Sequence, residues 1–124
     1  MFELILGHIL GDYFFQTHWM ATNKTKSDLI GYISCFIHCS IYTTCIISCL
    51  WFVIPSNYLI LSFIGIFISH WFIDKYSLAY KYMQWKGGPD FTNPFAPIIY
   101  VMIDNTSHIV LMYAFLRYVL NIII

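Results

Sequence analysis

The sequence predicts an all-α, polytopic membrane protein: four transmembrane helices in an up-down bundle, with a polar layer of His and Asp inside. Three observations predict it. The 124 residues are 60% hydrophobic and 10% charged, whereas a soluble domain carries about 25% charge because its surface faces water. No Asp, Glu, Lys or Arg occurs from Leu29 to Ile73, a run that holds two spans at about 20 residues each. Three acidic residues stand four positions from a histidine. The shortage of charge excludes an ordinary cytosolic enzyme, a disordered tail and a nucleic-acid binder that relies on a basic patch. A net charge of zero says nothing about partners.

The first segment, about 2–19, is apolar apart from Glu3, His8, Asp12 and Gln16. It lacks a basic leader region and holds a His and an Asp in its apolar stretch, so it reads as a span rather than a signal peptide. Pro55, Ser56 and Asn57 divide the charge-free run into helices at about 29–53 and 58–82. The last helix, about 96–122, follows the Gly87-Gly88-Pro89 and Asn93-Pro94 breakers. Residues 1–124 make one domain. Lys24 and Lys26 lie between the first two helices, and Lys75, Lys81 and Lys86 at or beyond the end of the third. Only Arg117 lies toward the other side. The positive-inside rule then gives a multi-pass protein of the inner (cytoplasmic) membrane with both termini outside.

Cys35, Cys39, Cys45 and Cys49 fall on the second helix within an arc of about 120°, shared with Gly31, His38 and Tyr42. One helix cannot build a disulfide framework with itself, so these small residues are read as close packing. Metal ligation by Cys35 or Cys39 is the alternative.

The pairs His8/Asp12, His70/Asp74 and Asp104/His108 exceed the roughly 0.5 such pairs that chance would give. Residues i and i+4 share a helix face. The order reverses in the last pair because the last helix runs the other way. Measured from the expected cytoplasmic ends, each Asp lies roughly 12 Å deep and each His roughly 18 Å. His38 falls between these levels. Ionised groups at such depth are costly, on the order of 3 kcal/mol each, so they must satisfy one another, water or a cation. His8, Asp12, His38, His70, Asp74, Asp104 and His108 form an N/O set suited to divalent Zn, Mn or Fe, as one ion or two. A structural polar network is the bland alternative.

Gln16 and Tyr100 continue these stripes by one turn and are placed to hydrogen-bond a ligand carboxylate or a substrate oxygen. Asn105 and Ser107 are expected to pack, His18 to lie at the interface beside Trp19, and Glu3 to be solvated. The loop from Gln84 to Phe95 is a surface loop or a lid, with Asp90 as its one acid–base group. A faint echo relates Gly7-His8-x3-Asp12-Tyr13 to Ser69-His70-x3-Asp74-Lys75-Tyr76, offset by half the chain, but His38 has only Tyr100 as its counterpart.

The string His8-x3-Asp12-Tyr13-x2-Gln16-x2-Trp19-Met20-Ala21-x-Asn23-Lys24 resembles the signature of a family of small prokaryotic and phage membrane proteins catalogued as domain of unknown function 3307. His38, the His70/Asp74 pair and the Asp104/His108 pair fit the same pattern. The resemblance implies a fold but no activity. More distantly, the intramembrane His/Asp layout is similar to membrane-bound metal-dependent hydrolases.

Three functions are compatible with these residues. One is a metal-dependent hydrolase acting on a membrane lipid or lipid-linked phosphate, with Asp12, Asp74 or Asp104 as general base when not bound to metal. The second is an ion or proton transporter, for which four helices would need to assemble as a homo-oligomer. The third is a non-catalytic phage or host-defence membrane interaction protein, in which the layer is structural.

Overall fold

A computed structural model describes residues 1–122; all regular structure among them is helical. Helix α1 (Phe2–Ile9) continues into a π turn, Leu10–Phe14, closed by the Phe15 N–H donating to the Leu10 carbonyl at 2.9 Å. The expected first span to residue 19 stops there. Thr17 adopts an extended backbone and its hydroxyl accepts from the Met20 N–H at 3.3 Å, so it caps a new helix, α2 (His18–Asn23), instead of continuing the old one. Asp28 does the same for α3 (Leu29–Cys49), its carboxylate accepting from Gly31 N–H at 2.8 Å.

Helix α3 ends before residue 53 because the chain must leave helical geometry ahead of Pro55. A short 3₁₀ turn, Ser56–Tyr58, leads into α4 (Leu59–Lys75). The expected helix at 58–82 is two helices. Ser77 takes a left-handed conformation, φ 49°, and redirects the chain into α5 (Leu78–Trp85). Helix α6 (Ala96–Ala114) has Pro97 in its first turn, where no N–H is needed, and ends in a second π turn, Phe115–Val119.

Helix α1 packs on α3, α3 on α4, α4 on α6, and α6 returns to α1, so four helices enclose one interior. Helix α2 lies against α3, and α5 joins α4 to α6. The α1–α3 contact is set by two glycines one turn apart. A Cβ on Gly7 would stand 2.8 Å from Ile46 Cα, and one on Gly11 2.9 Å from Tyr42 Cα. Small residues at this spacing let backbones approach as they do in membrane helix pairs, and they carry His8 and Asp12 inward between them. The core at one end of the interior is Leu4, Ile46, Leu50, Ile66, Met112 and Leu116.

Three helices are long and apolar enough to cross a membrane: Leu29–Cys49, Ser56–Lys75 and Ala96–Val119. The surface agrees with a membrane protein, since Phe52, Ile60, Leu29 and Phe14 all lie largely exposed and water would penalise so wide an apolar coat.

Candidate metal centre

The polar layer assembles where two helices end. Asp12 lies inside the π turn that terminates α1, and Asp74 is the penultimate residue of α4. The expected depth of about 12 Å assumed helices running on to residues 19 and 82, and the early breaks make the layer shallower with respect to α1 and α4. Each helix C-terminus carries a partial negative charge. Two such ends beside two carboxylates make a position where a cation is favoured.

Four atoms from three helices meet there. His38 Nε2 lies 2.9 Å from Asp74 Oδ2 and 3.3 Å from Asp12 Oδ1. His70 Nε2 lies 3.1 Å and 3.6 Å from the same two oxygens. The two Nε2 atoms are 2.9 Å apart. Zinc–ligand bonds of about 2.0–2.1 Å place tetrahedral ligands about 3.3 Å from one another, and these five separations bracket that edge. Asp12, His38 and His70 thus form one group able to hold an ion, and His70, Asp74 and His108 form another that shares His70. Both oxygens of Asp12 are buried and meet only imidazole nitrogens at 3.2–3.6 Å, none in hydrogen-bond geometry, and His108 Nε2 stands 3.4 Å from Asp74 Oδ1 in the same way. Unsatisfied acceptors of this kind cost about 1–3 kcal/mol each unless something occupies them. The donor set fits a divalent ion.

The other expected residues divide by position. His8 stands apart from both groups because its nitrogens are engaged elsewhere: Nδ1 is 2.8 Å from the Tyr42 hydroxyl and 3.2 Å from Asp12 Oδ2, and Nε2 is 3.0 Å from Asn105 Oδ1. It orients Asp12. Asp104 is the outermost carboxylate, 20% exposed, with Oδ1 3.7 Å from His108 Nε2. Gln16 falls in the break between α1 and α2 and is half-buried. Tyr100 meets Phe91 edge-on at 6.0 Å, which ties α6 to the loop before it. Asp90 is exposed and turned onto its own loop, accepting from the Thr92 hydroxyl and from Thr92 N–H at 3.0 Å. Those bonds hold its carboxyl below the usual range. His18 is exposed, and Glu3 pairs with the N-terminal ammonium at 3.4 Å. Cys35 and Cys39 are buried thiols with Sγ atoms 3.9 Å apart.

Three residues were not singled out for the layer by sequence. Lys24 donates to Asp74 Oδ2 at 2.7 Å with its side chain 13% exposed. Burial alone would lower its pKa, but the adjacent Asp74 carboxylate outweighs burial and raises it above the ordinary value. Three acids with no counter-charge were the signal that such a cation is needed. Tyr42 forms the floor, its ring stacked on His70 at 3.6 Å and its hydroxyl 3.3 Å from Met112 Sδ. It stands four residues after His38 on α3, the same spacing that revealed the acids. Asn105, expected to pack, instead holds His8 and donates to the Tyr13 hydroxyl.

No curated protein and no solved structure matches the chain, so the similarity to metal-dependent hydrolases rests on the His/Asp layout alone. A family model described as protein of unknown function (DUF3307) matches residues 1–123, and the chain belongs to that family.

Proposed function

We propose that this is a multi-pass protein of the inner membrane, with both termini outside, α1 as a short fourth membrane helix and the four enclosing helices arranged up and down. In it one divalent ion is held by Asp12, His38, His70 and Asp74, and the centre hydrolyses a lipid or lipid-linked phosphate. The convergence of His38 Nε2, His70 Nε2, Asp12 Oδ1 and Asp74 Oδ2 within 2.9–3.6 Å carries this reading. A single ion is favoured over a pair because both ligand groups require His70. Charge agrees: with neutral imidazoles, the three aspartates offset by Lys24 leave two negative charges for one divalent ion to balance.

Bound there, the ion would supply a water of lowered pKa and polarise a substrate oxygen. Asp104, outside both groups and partly exposed, is the carboxylate free to accept a proton. Tyr42 and His8 fix the ligand side chains, and the apolar core beside them keeps bulk water from that side of the layer. The same core disfavours ion transit, because a relay across the membrane needs polar groups through its whole thickness. Elemental analysis of detergent-purified wild type beside Asp12→Asn and Asp74→Asn tests the reading. One equivalent of transition metal in the wild type and a large loss in both variants is expected. Equal, substoichiometric metal in all three would sink it.

A further inference from the structure

We propose that Lys24 is the anion-binding residue of this centre. Its ammonium, paired with Asp74, competes with a divalent ion for that carboxylate, leaves when the ion takes it, and then receives a phosphate group of the substrate. The inference rests on the metal-binding reading and names the chemistry recognised beside the ion.

Asp74 Oδ2 is claimed by three groups at once: Lys24 Nζ at 2.7 Å, His38 Nε2 at 2.9 Å and His70 Nε2 at 3.1 Å. An ion held by this oxygen and the two imidazoles would lie within a few ångströms of the ammonium, where two cations repel strongly. The ammonium can yield. Lys24 lies in the connection between α2 and α3, outside any helix, and its stem is a flexible four-carbon chain.

What it would meet on leaving is a positive mouth. Lys26 Nζ donates to Asn23 Oδ1 at 2.6 Å, and Lys75 Nζ donates to the Lys26 carbonyl at 2.5 Å while lying 3.8 Å from the centre of the Tyr32 ring. Both lysines are held by neutral oxygens and make no ion pair among the described residues. The nearby Asp28 is engaged in capping α3. Once an ion takes Asp74, Lys24 loses its direct carboxylate partner, and Lys26 and buried Lys75 have none among the described residues, so an anion with several oxygens is the complementary ligand. Phosphate meets that description, and it would sit beside the ion that activates it.

The experiment uses detergent-purified full-length protein and measures Mn²⁺ affinity for wild type, Lys24→Met and Lys24→Arg. Inorganic phosphate binding is then measured with and without Mn²⁺. Lys24→Met is expected to bind Mn²⁺ at least about tenfold more tightly, because a competing charge at this range is worth more than that factor. Wild type and Lys24→Arg are expected to bind phosphate only with Mn²⁺ present, and Lys24→Met to lose phosphate binding. Lys24→Gln serves if Lys24→Met lacks wild-type helicity. Mn²⁺ affinity that is unchanged or weaker in a folded neutral variant, or phosphate binding indifferent to Lys24, overturns the inference while leaving the metal reading intact. Protein that binds no Mn²⁺ in any form overturns both. Competition by vesicles containing phosphatidic acid, but not by phosphatidylcholine alone, assigns a lipid headgroup; its absence assigns a free phosphate.

Discussion

The Nε2 atoms of His38 and His70 face each other across α3 and α4 at 2.9 Å. Two neutral imidazoles in this pose need a proton between them, and that proton serves one pair of atoms. The carboxylate oxygens of Asp12 and Asp74 crowd the same point. A divalent ion would satisfy all four atoms together, which mutual hydrogen bonding of the pair does not.

His70 is common to both ligand groups, whereas His8 belongs to neither. His70→Ala is therefore expected to weaken metal binding by more than about 100-fold. His8→Ala should cost about 10- to 100-fold, as for residues that orient a ligand. Competition against a fluorescent chelator measures both. Equal losses in the two variants would refute the division.

If an ion closes the layer, removing it must cost stability. Chelation of the purified protein is expected to lower the thermal midpoint, and added Mn²⁺ or Zn²⁺ to restore it. At 100 times the dissociation constant the ion contributes about 2.7 kcal/mol. A midpoint that ignores both chelator and metal would contradict the prediction.

Tyr42 joins the two halves of the layer through its ring on His70 and its hydroxyl on His8. Tyr42→Phe keeps the stack but leaves His8 Nδ1 with one fewer partner, so a loss of about 1–3 kcal/mol is expected. Tyr42→Ala also opens a cavity and should cost about 3–5 kcal/mol. Denaturation in detergent, followed by circular dichroism, separates the two.

Gly11→Ala places a methyl against Tyr42 and the α3 backbone. It is expected to destabilise by about 1–3 kcal/mol through overpacking and to lower metal affinity by displacing Asp12. Gly87, with φ 76° and open space around its missing Cβ, loses about 1 kcal/mol on change to Ala, by backbone strain alone, with metal binding intact. Paired melts and metal titrations of the two variants test this contrast.

Much of the centre was legible in the sequence because its signals are strong and local. The i, i+4 pairs His8/Asp12 and His70/Asp74 survive as real contacts of 3.2 Å and 3.1 Å, and the charge-free run resolves into α3 and α4. The helix ends were harder to read. The break after Phe14 depends on a π turn and on Thr17 capping a new helix, a choice between two local hydrogen-bonding schemes that hydropathy does not register. The turn at Ser77 is a left-handed residue without the glycine that usually marks one. The contact of Lys24 with Asp74 was not legible, because it arises from α2 packing along α3, a tertiary event. Asn105 was misjudged for a related reason: its partner His8 is 97 residues away, beyond any periodicity.

The way α1 is seated on α3 bears on when a metal site could be completed. Its π turn ends at Phe14, just past Asp12, and the segment is held chiefly by its glycine-mediated seat on α3. If the three long apolar helices are spans, a nascent chain can lodge α3, α4 and α6 in the bilayer first, as independently stable spans do. Until α1 docks, Asp12 is missing from the ligand set. On the metal-binding reading, completion of the tertiary fold would therefore also complete the ligand set, and a partly assembled protein would lack it.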